Sequence, residues 1–285
     1  MALHDDLREG TVNLERLVAS KKPHLLRWVP RWVMAYLRRI LHLESVNRTI
    51  QEHPGLMGVA FADVVLAEME VTYRVEGLQR LSPEGRYLVV SNHPLGGLDG
   101  MVLISAFGHA FEQIYFPVND FLTLLPQFAD IFLPINKHGA QSAEAARRLQ
   151  AAYASDAQIL YFPAGLCSRK RRGRVQDLAW KGNFVAKAVE YQRDVVPVYF
   201  DGRNSTFFYN LSRLRRALGI KANIEMIYLV DEMYRQHGAN LSVVVGEPIP
   251  WQTFLGHEVS RTEWAARLRQ QVYTLGAEWR RQANC

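Results

Sequence analysis

Cysteine is scarce in this 285-residue chain: Cys167 and Cys285 are the whole complement. Two cysteines cannot build a disulfide framework, and a reducing compartment is the expected setting. No Cys/His grouping has zinc-site spacing, so no metal ligand is assigned. Uncharged apolar runs of the roughly 20 residues needed to cross a bilayer are also missing, so any membrane association is expected to be interfacial. The opening Met1-Ala2-Leu3-His4-Asp5-Asp6 lacks a basic stretch followed by an apolar core, and no secretory signal is expected. Without a Gly-x-Ser-x-Gly elbow or a nucleotide phosphate loop, the common serine-hydrolase and P-loop chemistries are disfavoured. Internal repeats, low-complexity tracts and flexible linkers are absent too.

What is present describes an ordered globular protein, with 48% hydrophobic and 22% charged residues. The net charge of +6 implies an acidic partner. Nucleic acid, an anionic membrane surface and an acidic carrier protein all satisfy that charge.

The stretch richest in chemistry is Ser91-Asn92-His93-Pro94-Leu95-Gly96-Gly97-Leu98-Asp99-Gly100, between the apolar runs Tyr87–Val90 and Met101–Ile104. Strand, polar glycine-containing loop and helix, in that order, present side chains at the carboxyl edge of a sheet. A neutral imidazole such as His93 can accept a hydroxyl proton, and a carboxylate such as Asp99 on its other ring nitrogen fixes the tautomer. With no enzyme nucleophile in the stretch, the activated hydroxyl or amine would belong to a bound acceptor. Taken singly, a turn histidine and a helix-capping aspartate are ordinary. A second loop of the same kind, Ile159-Leu160-Tyr161-Phe162-Pro163-Ala164-Gly165-Leu166-Cys167-Ser168-Arg169-Lys170, shifts the balance toward a site.

Together the two loops resemble the glycerolipid, or lysophosphatidic acid, acyltransferase superfamily. Asn92, His93 and Asp99 stand in the places of its first block; Phe162, Pro163, Gly165, Ser168 and Arg169 in those of its third; Val196-Pro197-Val198 in its fourth. Two departures matter. Five residues separate His93 from Asp99 where the family has four, with Gly96-Gly97 the expected place for the extra one. Ala164 replaces the family's Glu, and Asn136-Lys137 its Arg, in blocks that the family uses to hold glycerol phosphate. The wording is similar to the bacterial O-acyltransferases that complete glycine or ornithine aminolipids. The resemblance implies His93 and Asp99 as catalytic residues and Asn92, Lys137, Phe162, Pro163, Gly165, Ser168, Arg169 and Lys170 as substrate-binding ones. It also implies an acyl carrier protein or coenzyme A thioester as donor, a monoacylated lipid as acceptor and no bound cofactor.

Around these loops, short apolar strands alternate with helices, which predicts an α/β fold: a mixed, largely parallel sheet flanked by helices. Residues 46–285 are expected to form this domain, and residues 1–45 an N-terminal helical segment. In the latter, Pro30 is placed to start a helix with Trp32, Val33, Tyr36, Leu37, Ile40 and Leu41 at helical spacing beside Arg31, Arg38 and Arg39. Such a helix, with Trp28 close by, suits the plane of a membrane interface as well as it suits packing on its own domain. The resemblance favours the membrane, and a peripheral position on the cytoplasmic face.

Further along, Arg169-Lys170-Arg171-Arg172-Gly173-Arg174 is the densest charge run and reads as lining the mouth of the site. Arg169 and Lys170 are expected to touch an anionic ligand. Cys167, with nothing beside it to make a nucleophile, is expected to be a packing residue. A helix is expected over 177–191, and 224–234 is left open between helix and strand. The aromatic stripe Phe207, Phe208, Tyr209, Leu211, Leu214 is read as core or as the flank of an acyl-chain groove. The leading function is transfer of a fatty acyl group from a thioester to a lipid hydroxyl. Lysophosphatidic acid acylation and non-catalytic lipid binding are the alternatives, and nucleic-acid binding through the arginine run ranks last for want of a recognition motif.

Overall fold

The structure is a computed structural model, described here over residues 11–15, 29–119, 122, 125–135, 143–171, 173–256 and 258–283. Trp28, Asn136, Lys137, Arg172 and Cys285 lie outside these residues. The sheet strands, in chain order, are β1 (Thr72–Glu76), β2 (Tyr87–Ser91), β3 (Ile114–Val118), β4 (Phe132–Pro134), β5 (Gln158–Tyr161), β8 (Asp194–Asp201) and β9 (Asn240–Val245). They lie in the order β1-β9-β8-β2-β5-β3-β4, and every neighbouring pair is parallel except β8 with β9. The expected mixed, largely parallel sheet flanked by helices is what forms.

Strand periodicity sorts the core onto two faces. On β2, Val89 faces one way and Leu88 and Val90 the other. The Val89 face is covered by α2 (Leu43–Glu52), α3 (Gly58–Glu68) and α4 (Leu98–Ala110), through residues such as Ile50, Phe61, Leu66 and Phe107. The opposite face is covered by α5 (Ala143–Ala154), α6 (Asn183–Glu190) and α9 (Arg261–Ala283), through Tyr153, Phe184, Leu268 and Trp279. All five residues of β2 are buried, as expected of a central strand between two helical layers.

Ahead of the sheet, α1 (Arg31–Ile40) starts after Pro30 as expected. The expected division after residue 45 falls within α2, whose Ile50 belongs to the core of the sheet domain. Two further helices, α7 (Thr206–Ala217) and α8 (Leu229–Tyr234), follow β8. The 224–234 stretch resolves into a 3-10 turn, Ile224–Tyr228, running into α8.

One expectation needs correction, in the stretch that follows the arginine run. The arginine run is a hairpin, β6 (Arg169–Arg171) against β7 (Arg174–Gln176), turned by Gly173 at φ +80. The helix expected over 177–191 begins only at Asn183. Residues 177–181 stay irregular because they bond to the site loops: Asp177 holds Ser168 and Trp180, and the Lys181 N–H donates to the Pro163 carbonyl. Helical periodicity in that stretch lost to tertiary hydrogen bonds.

Candidate active site

Parallel pairing of β2 with β5 brings the loop after β2 and the loop after β5 to the same edge of the sheet. There the His93 Nδ1 lies 2.9 Å from the Asp99 Oδ2. Asp99 is fully buried in the first turn of α4. Its Oδ2 also accepts from the Leu95 and Gly96 N–H groups, and its Oδ1 from Gly100 N–H. Gly96 takes φ +88, and a side chain there would collide with Leu229 of α8.

The imidazole is 14% exposed and stacks on Phe162 with ring centroids 3.9 Å apart. Nδ1 is committed to a carboxylate, so Nδ1 carries the proton of the neutral ring and Nε2 offers the lone pair. Nε2 has no hydrogen-bond partner among the described residues. A carboxylate-oriented imidazole of this kind is able to exchange a proton with a bound hydroxyl.

Bonded to the main chain of His93 is Asp177, a residue the sequence reading did not single out for the site. Its Oδ1 accepts from the His93 N–H at 3.1 Å and from the Ser168 hydroxyl at 2.6 Å, and its Oδ2 from the Trp180 indole at 2.8 Å. Burial pushes its carboxyl up, against the pull of those three donors. Tyr273 of α9 accepts from the Asp177 N–H, and Arg269 donates to its carbonyl. Trp180 three residues after Asp177 was the available signal, and it does not by itself point at His93.

Several residues read as substrate-binding are held by the protein itself. Asn92 uses both ends of its amide on the main chain of Phe200, extending the β2–β8 ladder by one rung. Ser168 is buried, with its hydroxyl on Asp177. Pro163 is buried and accepts from Lys181, and Gly165 turns the loop at φ +64. Arg169, expected at the mouth, is turned inward. It is 4% exposed, pairs with Glu225 at 3.0 Å and donates to the Cys167 carbonyl at 2.7 Å. Glu225 is fully buried and also pairs with Arg215 of α7. An arginine so enclosed is held by the protein's own groups, a distinction invisible in a run of like charges. Lys170 is exposed on β6, and Phe162 remains beside His93. Cys167 is buried among Phe208, Tyr209 and Met226, and burial pushes its thiol up to about 12, so it packs as expected.

The chain is similar to known proteins. A profile described as "Acyltransferase" matches residues 16–278. The chain belongs to this acyltransferase family. The acyltransferase is 40% identical over 267 residues to a lyso-glycine lipid O-acyltransferase of Bacteroides thetaiotaomicron, covering 93% of this chain and 97% of the relative. It is also 40% identical over 265 residues to a protein of the same name from Phocaeicola vulgatus, covering 93% and 95% of the two chains. Among solved structures, the 1-acyl-sn-glycerophosphate acyltransferase PlsC of Thermotoga maritima is similar at 16% identity and a TM-score of 0.45, covering 77% of this chain and 81% of that one. The resemblance carried by the two loops, down to the aminolipid branch, is borne out.

Within the acyltransferase, Ala164 packs into the core layer beside Trp180. The side chain at this position is a buried methyl group.

Proposed function

We propose that the protein transfers a fatty acyl group from a thioester, on acyl carrier protein or coenzyme A, to the hydroxyl of a monoacylated aminolipid, with a glycine lipid as the preferred acceptor. Two relatives named lyso-glycine lipid O-acyltransferase, each aligned over 93% of the chain, support the acceptor. Ala164 in place of the family's Glu agrees with an acceptor other than glycerol phosphate.

The single observation behind the mechanism is the 2.9 Å contact of His93 Nδ1 with Asp99 Oδ2, which leaves Nε2 as the free base. Nε2 takes the proton from the lipid hydroxyl as its oxygen attacks the thioester carbonyl. Collapse of the tetrahedral intermediate breaks the C–S bond, and the same proton passes from the imidazolium to the departing sulfur. Asp99 holds the tautomer and stabilises the imidazolium; such acid–base help contributes about a hundred- to ten-thousand-fold. Residues 1–45 contribute a membrane-interface helix, and a peripheral position on the cytoplasmic face agrees with a chain of two cysteines. Among the described residues, no helix is long and apolar enough to cross a membrane.

The test is transfer of labelled acyl groups from acyl carrier protein and from coenzyme A to lyso-glycine lipid, lyso-ornithine lipid and lysophosphatidic acid in mixed micelles. Transfer to the glycine lipid that vanishes in His93→Ala is expected. Transfer confined to lysophosphatidic acid would overturn the acceptor, and full activity in the variant would overturn the mechanism.

A further inference from the structure

Helix α7 presents three different faces. Phe208, Tyr209, Ser212 and Arg215 are buried against the body. Arg213 and Arg216 face a cleft of about 640 Å³ shared with Lys170 and Arg171 of β6. Phe207, Leu214 and Leu218, spaced seven and four residues apart, form a stripe that is 47%, 56% and 65% exposed.

The cleft is cationic without compensation. Its lining contains no carboxylate, and among the described residues none of its four cations forms an ion pair. The adjoining interior differs, since Arg169 and Arg215 share the buried Glu225. Four like charges around one cavity repel each other, and an anion with several acceptor oxygens relieves the repulsion while taking several charge-assisted hydrogen bonds.

The apolar stripe says where that anion resides. Exposed Phe and Leu beside arginines make the amphipathic surface that lies in a lipid interface. The stripe also continues onto α1. The Phe207 ring packs edge-on against Tyr228 at 5.1 Å, and the Tyr228 hydroxyl is 2.9 Å from that of Tyr36. Tyr36 and Trp32, one helical turn apart on α1, are 44% and 73% exposed. Two helices far apart in sequence thus share one aromatic and aliphatic surface, with the cationic cleft at its side.

We propose that the cleft between β6 and α7 holds the phosphate of an anionic phospholipid in a bilayer, onto which α7 and α1 together lay the protein. The inference deepens the reading of a membrane-lipid acceptor by assigning a lipid-docking site on α7, outside the N-terminal segment. It is tested without turnover, so its failure and the failure of the catalytic reading are separable.

The test is co-sedimentation with vesicles of phosphatidylcholine alone and of phosphatidylcholine with phosphatidylglycerol. Wild type is compared with Arg213→Gln/Arg216→Gln and with Leu214→Ser/Leu218→Ser. All four positions are exposed, and matching melting curves check that the variants fold. The arginine variant is expected to lose about tenfold or more in affinity for the anionic vesicles, with little change on neutral ones. The leucine variant is expected to bind both kinds less. Unchanged vesicle binding in either variant overturns the proposal. So does a result in which the arginine variant keeps its lipid affinity but loses affinity for coenzyme A, inorganic phosphate or DNA, which would assign the cleft to a soluble anion or nucleic acid.

Discussion

The Ser168 N–H donates to the His93 carbonyl oxygen at 2.7 Å, so the loop after β5 is tied to the loop after β2 at the proposed base itself. Asp177 doubles the tie by accepting from the His93 N–H and the Ser168 hydroxyl on one oxygen. The imidazole is therefore located by its own main chain, by Asp99 and by the stacked Phe162 ring.

His93→Ala is expected to lower kcat by about a hundred- to ten-thousand-fold while vesicle binding stays as in wild type. Asp99→Asn should lower kcat by a similar factor, because an amide NH2 turned toward Leu95 and Gly96 finds donors where an acceptor is required. Steady-state acyl transfer with the melting temperature measured alongside separates chemistry from folding. Wild-type kcat in either variant would remove the dyad.

Asp177→Asn replaces one acceptor oxygen by a donor facing either Trp180 or the pair of donors on Oδ1. A loss of about 1–3 kcal/mol in unfolding free energy is expected, since a buried polar group then goes unpaired. Because the carboxylate also positions His93, kcat should fall while KM for the donor holds. Denaturant titration and kinetics check the two parts independently.

Glu225→Gln leaves Arg169 and Arg215 buried with no countercharge. Breaking such a buried network costs about 3–5 kcal/mol, far more than any surface ion pair of this protein. Urea unfolding compared with that of Arg267→Gln, which removes an exposed i,i+4 pair with Glu263, is the measurement. Equal midpoints would contradict the structural role assigned to Arg169.

Phe162→Ala removes the ring stacked on His93 and its contact with Phe116. A drop in kcat with a loss of about 1–3 kcal/mol is expected, and Phe162→Tyr should restore most of both.

With its thiol pushed up to about 12, Cys167 should resist iodoacetamide at pH 8 in the native protein, where roughly one molecule in ten thousand carries the thiolate. In urea it should alkylate at the rate of a free thiol. Mass spectrometry of the labelled peptide reads both, and rapid native labelling would show that the loop opens.

Local patterns were enough for much of this protein. Alternating apolar strands and helices specified the α/β class, because periodicity reports which side of an element is buried whatever it is buried against. His93 and Asp99 were legible because they lie six positions apart, across one short loop and the first turn of the helix it enters, where sequence proximity brings spatial proximity. Other features depend on what the sheet brings together. Asp177 reaches His93 only because β2 and β5 run side by side and a hairpin returns the chain beneath them. Arg169 and Lys170 are neighbours of equal charge, yet strand alternation sends one inward to Glu225 and the other out to the cleft. Of the α7 residues read as core or as the flank of an acyl-chain groove, Phe208 and Tyr209 are buried while Phe207 and Leu214 stay exposed, because helical spacing cannot tell an apolar face packed on protein from one left uncovered. That difference exists only once the rest of the chain has taken its place.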